Sequence, residues 1–324
     1  MKDIHKELFA PLTIRNVTLA NRIVVPPMVQ LRPITSPQGI AWYRRLASGG
    51  PGLVIAEATG VPLFGRELTA ENLRPLTSAI HDGGSAAAIQ LFPIPFGSQA
   101  DPNELTVEQI EDILDRYATA AAICAEAGFD GVEPHGAHGF LINQFLMPDR
   151  NARTDDFGGS LENRSRFAVA IVDGIKRTTG DGLLILYRHT PVGEAYTIED
   201  SLTLARRLID AGADVLDISP AMAETVADLA APFEARFDVP VIAVNGMENP
   251  ADAAQAIRDG RCDLVAVGRQ MIADARWPQL LRTEAFDQIR HCTKCNEKGF
   301  GNLEKSQPVE CALWTDDELA EYML

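Results

Sequence analysis

The chain has 324 residues, 46% of them hydrophobic, enough to bury a sizeable core, and barrels of this length are routinely single domains. Its formal net charge is -16, and so acidic a surface repels phosphate backbones, which excludes nucleic acid as an expected partner. Five cysteines are too few, and odd in number, for a disulfide framework.

The first residues, Met1, Lys2, Asp3, Ile4 and His5, lack the apolar core of a signal peptide, and no apolar run reaches spanning length. A cytoplasmic location with no membrane contact is therefore expected. Short apolar runs then recur at 22–25, 53–56, 87–91, 131–133, 183–186, 215–218, 241–244 and 264–267. Strands buried on both faces read as such continuous runs, not as alternating ones. Helical patterns lie between them. In 106–128, Ile110, Ile113, Leu114, Tyr117, Ala121 and Cys124 share a face and Gly128 marks a stop. Ser160 is placed to cap a helix starting at Leu161, another helix covers 198–211, and Pro250 opens a third at its favoured first position. Eight strand–helix alternations predict an α/β fold, a (β/α)8 TIM barrel. The expected organisation is one domain over 1–324, with long loops at the C-terminal face and a cysteine-containing tail from about 288. The rival is an open doubly wound sheet, but no Gly-x-Gly-x-x-Gly turn follows any of the runs.

Barrel chemistry sits at the C-terminal strand ends, and unusual residues collect there. Asn245 and Gly246 follow the seventh run; Gly268 and Arg269 follow the eighth. Glycine-exposed backbone N–H groups with a guanidinium suit a phosphate, although each pair alone also reads as an ordinary turn. Arg188 follows the fifth run, where burial demands an anion or a dipole; a salt bridge to Glu133 or Asp217 is the plainer account. Gln90 ends the third run and alone reads as a satisfied core amide. His135 and His138 follow the fourth. They read as core histidines, as half a metal site, or as two N–H donors aimed at a substrate oxygen.

The segment from His135 through Phe140 to Asn151, Arg164 and Phe167 resembles the substrate-binding signature of the old yellow enzyme family of flavin-dependent oxidoreductases. The resemblance starts at Leu8, Phe9, Pro11 and Leu12, includes Asn21, Arg22 and Val25 to Pro27, and runs to Arg269. It implies FMN across the barrel mouth, reduced by NADH or NADPH, and hydride delivery to the activated alkene of an unsaturated carbonyl compound. By matching position, Pro26, Pro27, Met28 and Ala58 would contact the ring. Gln90 and Arg188 would hold its pyrimidine side, and Asn245, Gly246, Gly268 and Arg269 its phosphate. His135 and His138 would bind the substrate oxygen. The segment 155–167 reads as structural. Members of the family form dimers or larger assemblies, so a homo-oligomer is one expectation.

Three departures matter. Phe140 stands where most members carry the tyrosine that protonates the α-carbon; Tyr196 is a substitute candidate, or else a packing tyrosine. Val29 replaces a threonine or cysteine near the flavin C4 oxygen, which implies a lower potential and readier reaction with oxygen. The apolar turn from Pro93 to Phe96 replaces a polar one. Cys292, Cys295 and Cys311 are similar to an iron–sulfur motif of a larger branch, but Gly299 takes the third ligand position, so no cluster is expected. Zinc with His291 is a further alternative, and free cysteines are favoured over both. The same scaffold would also serve an amine or N-methyl dehydrogenase or a redox-neutral double-bond isomerase. From other classes, a non-catalytic flavin binder has no use for two oxyanion donors, and a barrel aldolase wants a strand-end lysine that none of the runs supplies.

Overall fold

All eight apolar runs form strands, and they close on one another in chain order. The computed structural model describes residues 3–95, 100–220 and 226–320. A 3-10 turn, Asp3–Phe9, leads into an antiparallel hairpin of β1 (Leu12–Ile14) and β2 (Val17–Leu19). The barrel follows: β3 (Ile23–Val25), α1 (Pro37–Ser48), β4 (Leu53–Gly60), α2 (Ala70–His81), β5 (Ala86–Phe92), α3 (Val107–Ala127) and β6 (Gly131–Gly136). After α4 (Leu141–Leu146) and α5 (Leu161–Thr179) come β7 (Leu184–His189), α6 (Ile198–Asp210), β8 (Val215–Ile218), α7 (Val226–Glu234), β9 (Val241–Val244), α8 (Pro250–Arg258) and β10 (Leu264–Ala266). The strands pair in parallel and β10 closes on β3, so the doubly wound alternative is excluded.

The local signals act as expected. Thr106 caps α3 in a capping box with Gln109, and Gly128 ends it at φ 90°, in the left-handed region open to glycine. Ser160 accepts from the Asn163 N–H at the start of α5. Pro250 is the first residue of α8. The 151–167 segment is structural: Asn151 Nδ2 donates to the Phe145 and Phe157 carbonyls, Arg153 pairs with Asp155, and Arg164 Nε donates to the Leu146 carbonyl at 2.8 Å.

Six of the eight strands differ in extent from the runs read in the sequence; β7 reaches His189, so Arg188 lies on it. β6 runs to Gly136, so His135 lies on the strand and not after it. Pro134 breaks the apolar run and supplies no ladder N–H, yet it keeps its place opposite Leu91. β10 ends at Ala266, leaving Val267 just beyond it.

Inward residues alternate along each strand and change character with height. The lower layers are apolar: Val24, Ile55, Ala88, Leu184, Leu186, Val215, Ile242 and Leu264 form one cluster with Ile14 and Leu19 of the hairpin. The hairpin therefore plugs the N-terminal end. Two residues higher the rows turn polar. Gln90 sits opposite Glu133, His135 opposite Arg188, and Arg188 opposite Asp217.

Past β10 the chain forms α9 (Arg269–Ala273), α10 (Trp277–Arg282), α11 (Phe300–Glu304) and α12 (Asp316–Ala320). This tail is docked against the barrel. The Val309 N–H donates to the Gln30 carbonyl at 3.1 Å, Trp314 Nε1 to the Ile272 carbonyl at 2.8 Å, and the Arg45 guanidinium covers the Trp314 ring. No helix among the described residues is long and apolar enough to cross a membrane.

Candidate active site

Four strands bring a buried ionic cluster to the barrel mouth. Gln90 Nε2 donates to Glu133 Oε1 at 2.7 Å, and Arg188 Nη1 lies 3.7 Å from Asp217 Oδ2. Glu133 and Asp217 are fully buried and Arg188 is 6% exposed. Two carboxylates facing one guanidinium leave an excess negative charge in a low-dielectric site. Burial above all, then the Asp217 charge, pushes the Glu133 carboxyl well above its ordinary range. Burial also raises Asp217. Both carboxyls are thus pushed toward protonation, Glu133 the more strongly, and Glu133 Oε2 and both Asp217 oxygens are buried with no hydrogen-bond partner. Arg188 Nε is likewise buried with no hydrogen-bond acceptor.

The two histidines adjoin this cluster, His135 directly opposite Arg188 in the β6–β7 register. His135 Nδ1 accepts from the Ala137 N–H at 3.3 Å, and His138 Nε2 lies 2.9 Å from Ser219 Oγ. Their rings meet edge to face at 5.2 Å. Burial first, then the Arg188 charge, holds His135 well below 6.5 and His138 at about 4. Both are therefore neutral at pH 7, each with one N–H to give. His138 sits at φ 61°, with its backbone N–H donating to Thr190 Oγ1.

That lowered value has a measurable consequence. Below pH 6.5 the unfolded chain protonates His138, whereas the folded chain resists until about pH 4. The stability contribution is present above 6.5 and is lost as pH falls toward 4. His138→Asn should therefore gain on the parent across that window, by up to about 1.4 kcal/mol per pH unit. Urea midpoints of both proteins at several pH values check this; a constant difference would mean that His138 titrates ordinarily.

Phe140 is 37% exposed and completes an aromatic corner. Its ring lies 5.1 Å from His135 and 5.0 Å from Phe92, both near perpendicular. Tyr196, by contrast, is 3% exposed. Its hydroxyl donates to the Thr190 carbonyl at 2.8 Å and receives Asn143 Nδ2 at 3.2 Å, so its proton is already engaged. Phe96, the last residue of the apolar turn after β5, lies outside the described residues.

Pro26, Pro27, Met28 and Val29 form the loop after β3, and Ala58 lies where the β4–β5 register shifts between Ala56 and Thr59. Half-buried Glu57 accepts from the Gln30 N–H at 2.8 Å and ties that loop to β4. Burial raises its carboxyl to about 8. On the opposite side Asn245 and Gly246 both have positive φ, 72° and 68°. A side chain at Gly268 would approach Met28 Sδ at 3.2 Å, and Arg269 Nη1 reaches Asn296 Oδ1 at 3.4 Å.

Cys292 and Cys311 are partly buried, Cys295 is exposed, and all three are unpaired thiols. Among the described residues no group of three His, Cys, Asp or Glu side chains is arranged to hold a metal. Ser219 and Thr190 were not singled out from the sequence. The available signal was position: each directly follows a buried strand.

The residues present fit a flavin. A buried guanidinium nitrogen lacks an acceptor, left-handed backbone exposes N–H groups after β9, and a glycine after β10 keeps the space beside Met28 and Pro26 open. Fold and site together define a flavin-binding (β/α)8 barrel. The chain belongs to the NADH:flavin oxidoreductase / NADH oxidase family, that of old yellow enzyme, whose model matches residues 7–104 and 96–288. FMN is its cofactor. It is 33% identical to the NADH oxidase of Thermoanaerobacter brockii, over 89% of this chain and 52% of that protein. It is 32% identical to an NADPH dehydrogenase of Geobacillus sp. over 84% of this chain and 92% of that one. With the cinnamate reductase of Clostridium sporogenes the identity is 29%, over 97% of this chain and 58% of the relative. The chain thus spans little more than half the length of the NADH oxidase and the cinnamate reductase.

Proposed function

We propose that this chain is an FMN-dependent oxidoreductase, reduced by NADH or NADPH, that reduces the activated C=C of an α,β-unsaturated carbonyl compound. The observation that carries this reading is a pair of neutral imidazole donors, His135 and His138, beside a buried guanidinium with an unfilled N–H. Such donors gain strength as negative charge develops on a carbonyl oxygen, and they raise the rate by that difference. When bound, FMN supplies hydride transfer from the nicotinamide to the alkene. Arg188 and Gln90 would hold the pyrimidine edge, and the positive charge of Arg188 would stabilise the anionic reduced ring. Pro26, Pro27, Met28 and Ala58 would pack on the ring and exclude water. Asn245, Gly246, Gly268 and Arg269 would hold the phosphate, and 1–324 would act as one FMN-binding domain.

Phe140 has no proton to give and Tyr196 has its proton engaged, so water entering past the exposed Phe140 edge is the source for the α-carbon. Phe92 and Phe140 make the pocket wall apolar, which suits a conjugated, uncharged acceptor. The cinnamate reductase relative is named for a conjugated acceptor too, but one that carries a charged carboxylate at neutral pH.

The test is an absorption spectrum followed by anaerobic titration. The purified protein with FMN should show a bound-flavin spectrum, bleach with NADH or NADPH, and regain colour with a cyclic enone. A protein that stays colourless after reconstitution sinks the whole reading. Bleaching without recovery by enones or maleimides sinks the alkene reduction alone.

A further inference from the structure

We propose that Ser219 is a positioning residue that holds His138 in the tautomer protonated at Nδ1, so that His135 and His138 expose opposite ring nitrogens to the pocket. The inference rests on the functional reading above for its consequence in turnover, but not for its structural content.

The argument is a count of hydrogens. Arg188 Nη2 donates to Ser219 Oγ at 2.9 Å, and a guanidinium never accepts. The same oxygen lies 2.9 Å from His138 Nε2. Ser219 is 2% exposed and owns one hydroxyl hydrogen. If His138 donated from Nε2, the serine would accept twice and its own hydrogen would be buried with no acceptor among the described residues. Leaving a buried polar hydrogen unpaired costs about 1–3 kcal/mol. Donation from Ser219 to Nε2 instead satisfies the serine hydroxyl, the Arg188 Nη2 donor and His138 Nε2 together. Burial and Arg188 outweigh the one opposing influence, a hydrogen bond from the ring to the Ser219 backbone, and keep the imidazole neutral, so with Nε2 accepting from the serine hydroxyl its single hydrogen sits on Nδ1.

His135 is fixed the other way. The Ala137 N–H donates to its Nδ1, which leaves the hydrogen on Nε2. The two rings, near perpendicular at 77°, thus carry complementary tautomers. Thr190 steadies the serine, its Oγ1 donating to the Ser219 carbonyl at 3.1 Å while accepting from the His138 N–H at 2.9 Å. One hydroxyl therefore connects the guanidinium that faces the flavin with the imidazole that faces the substrate.

The test uses the full chain labelled with 15N-histidine, with and without FMN, and His138→Asn to assign the resonances. The parent should show His138 with a protonated Nδ1 and a bare Nε2. Ser219→Ala should move at least half of the population, on the order of RT in energy, to the Nε2 tautomer, and Ser219→Thr should restore the parent pattern. With FMN bound, Ser219→Ala should lose about tenfold in the rate of flavin reoxidation by a cyclic enone, a partial loss of one oxyanion donor, and less than that in flavin reduction by NADH or NADPH, where only the Arg188 contact to the serine is lost. A parent His138 protonated at Nε2, or a tautomer that Ser219→Ala does not move, overturns the assignment whatever the turnover. Tautomers that move as expected in a protein that reduces no enone uphold Ser219 and overturn the functional reading instead.

Discussion

Arg188→Met should destabilise the protein by about 3–5 kcal/mol, the usual cost of removing one partner from a buried charge pair. Arg188 faces Asp217 at 3.7 Å and donates to Ser219, and Asp217 is fully buried. Without the guanidinium the carboxyl pair must take up a further proton or remain charged in an apolar barrel. Urea denaturation at pH 7 reads the loss. On the proposed role of Arg188 at the pyrimidine edge, the same variant should bind FMN at least about tenfold more weakly, because a charge-assisted contact to the ring would be lost as well. Arg188→Met combined with Asp217→Asn separates the two effects. The double variant should recover a large part of the stability and none of the FMN affinity. A single variant as stable as the parent would mean that Glu133 and Asp217 are both neutral in the folded state.

The second large effect is a gain. Phe140→Tyr should raise the rate at which an enone reoxidises the reduced flavin by about 10- to 100-fold, toward the lower end of what a positioned general acid contributes. The Phe140 ring is fixed edge-on by His135 and Phe92, so the added hydroxyl inherits a defined direction. It is also 37% exposed, which leaves room for one more oxygen. Reduction of the flavin by NADH or NADPH involves no such proton and should be unchanged. Stopped-flow measurement of the two half-reactions checks this. A variant with no faster reoxidation would show that proton delivery does not limit the parent, whose pocket water already suffices.

The barrel was legible in the sequence because its strands are buried on both faces and read as unbroken apolar runs. The hairpin was not, since β1 and β2 are three residues each and half-exposed, too short to show a period. The tail was illegible for a different reason. Its order depends on contacts far apart in sequence, such as Val309 with Gln30 and Trp314 with Ile272. At the site, His135, Arg188 and Gln90 stood out because large polar groups at buried strand ends are costly to keep. Ser219 carries the same positional signal, but serine is small and common at strand ends, so its place between Arg188 and His138 emerges only from the three-dimensional arrangement. Glu133 and Asp217 were visible only as partners for Arg188. That both carboxyls are pushed toward protonation follows from their full burial, which no pattern of residue types conveys.

The plug that Ile14 and Leu19 form at the bottom of the barrel bears on kinetics. A vessel sealed at one end has a single doorway. On the functional reading above, nicotinamide and alkene would meet the same exposed face of the flavin through that doorway. They would have to take turns, the oxidised nicotinamide departing before the acceptor enters. Each reactant would then obstruct the other at high concentration, so a barrel packed with side chains below its mouth and capped by the hairpin would impose a ping-pong order on the reaction.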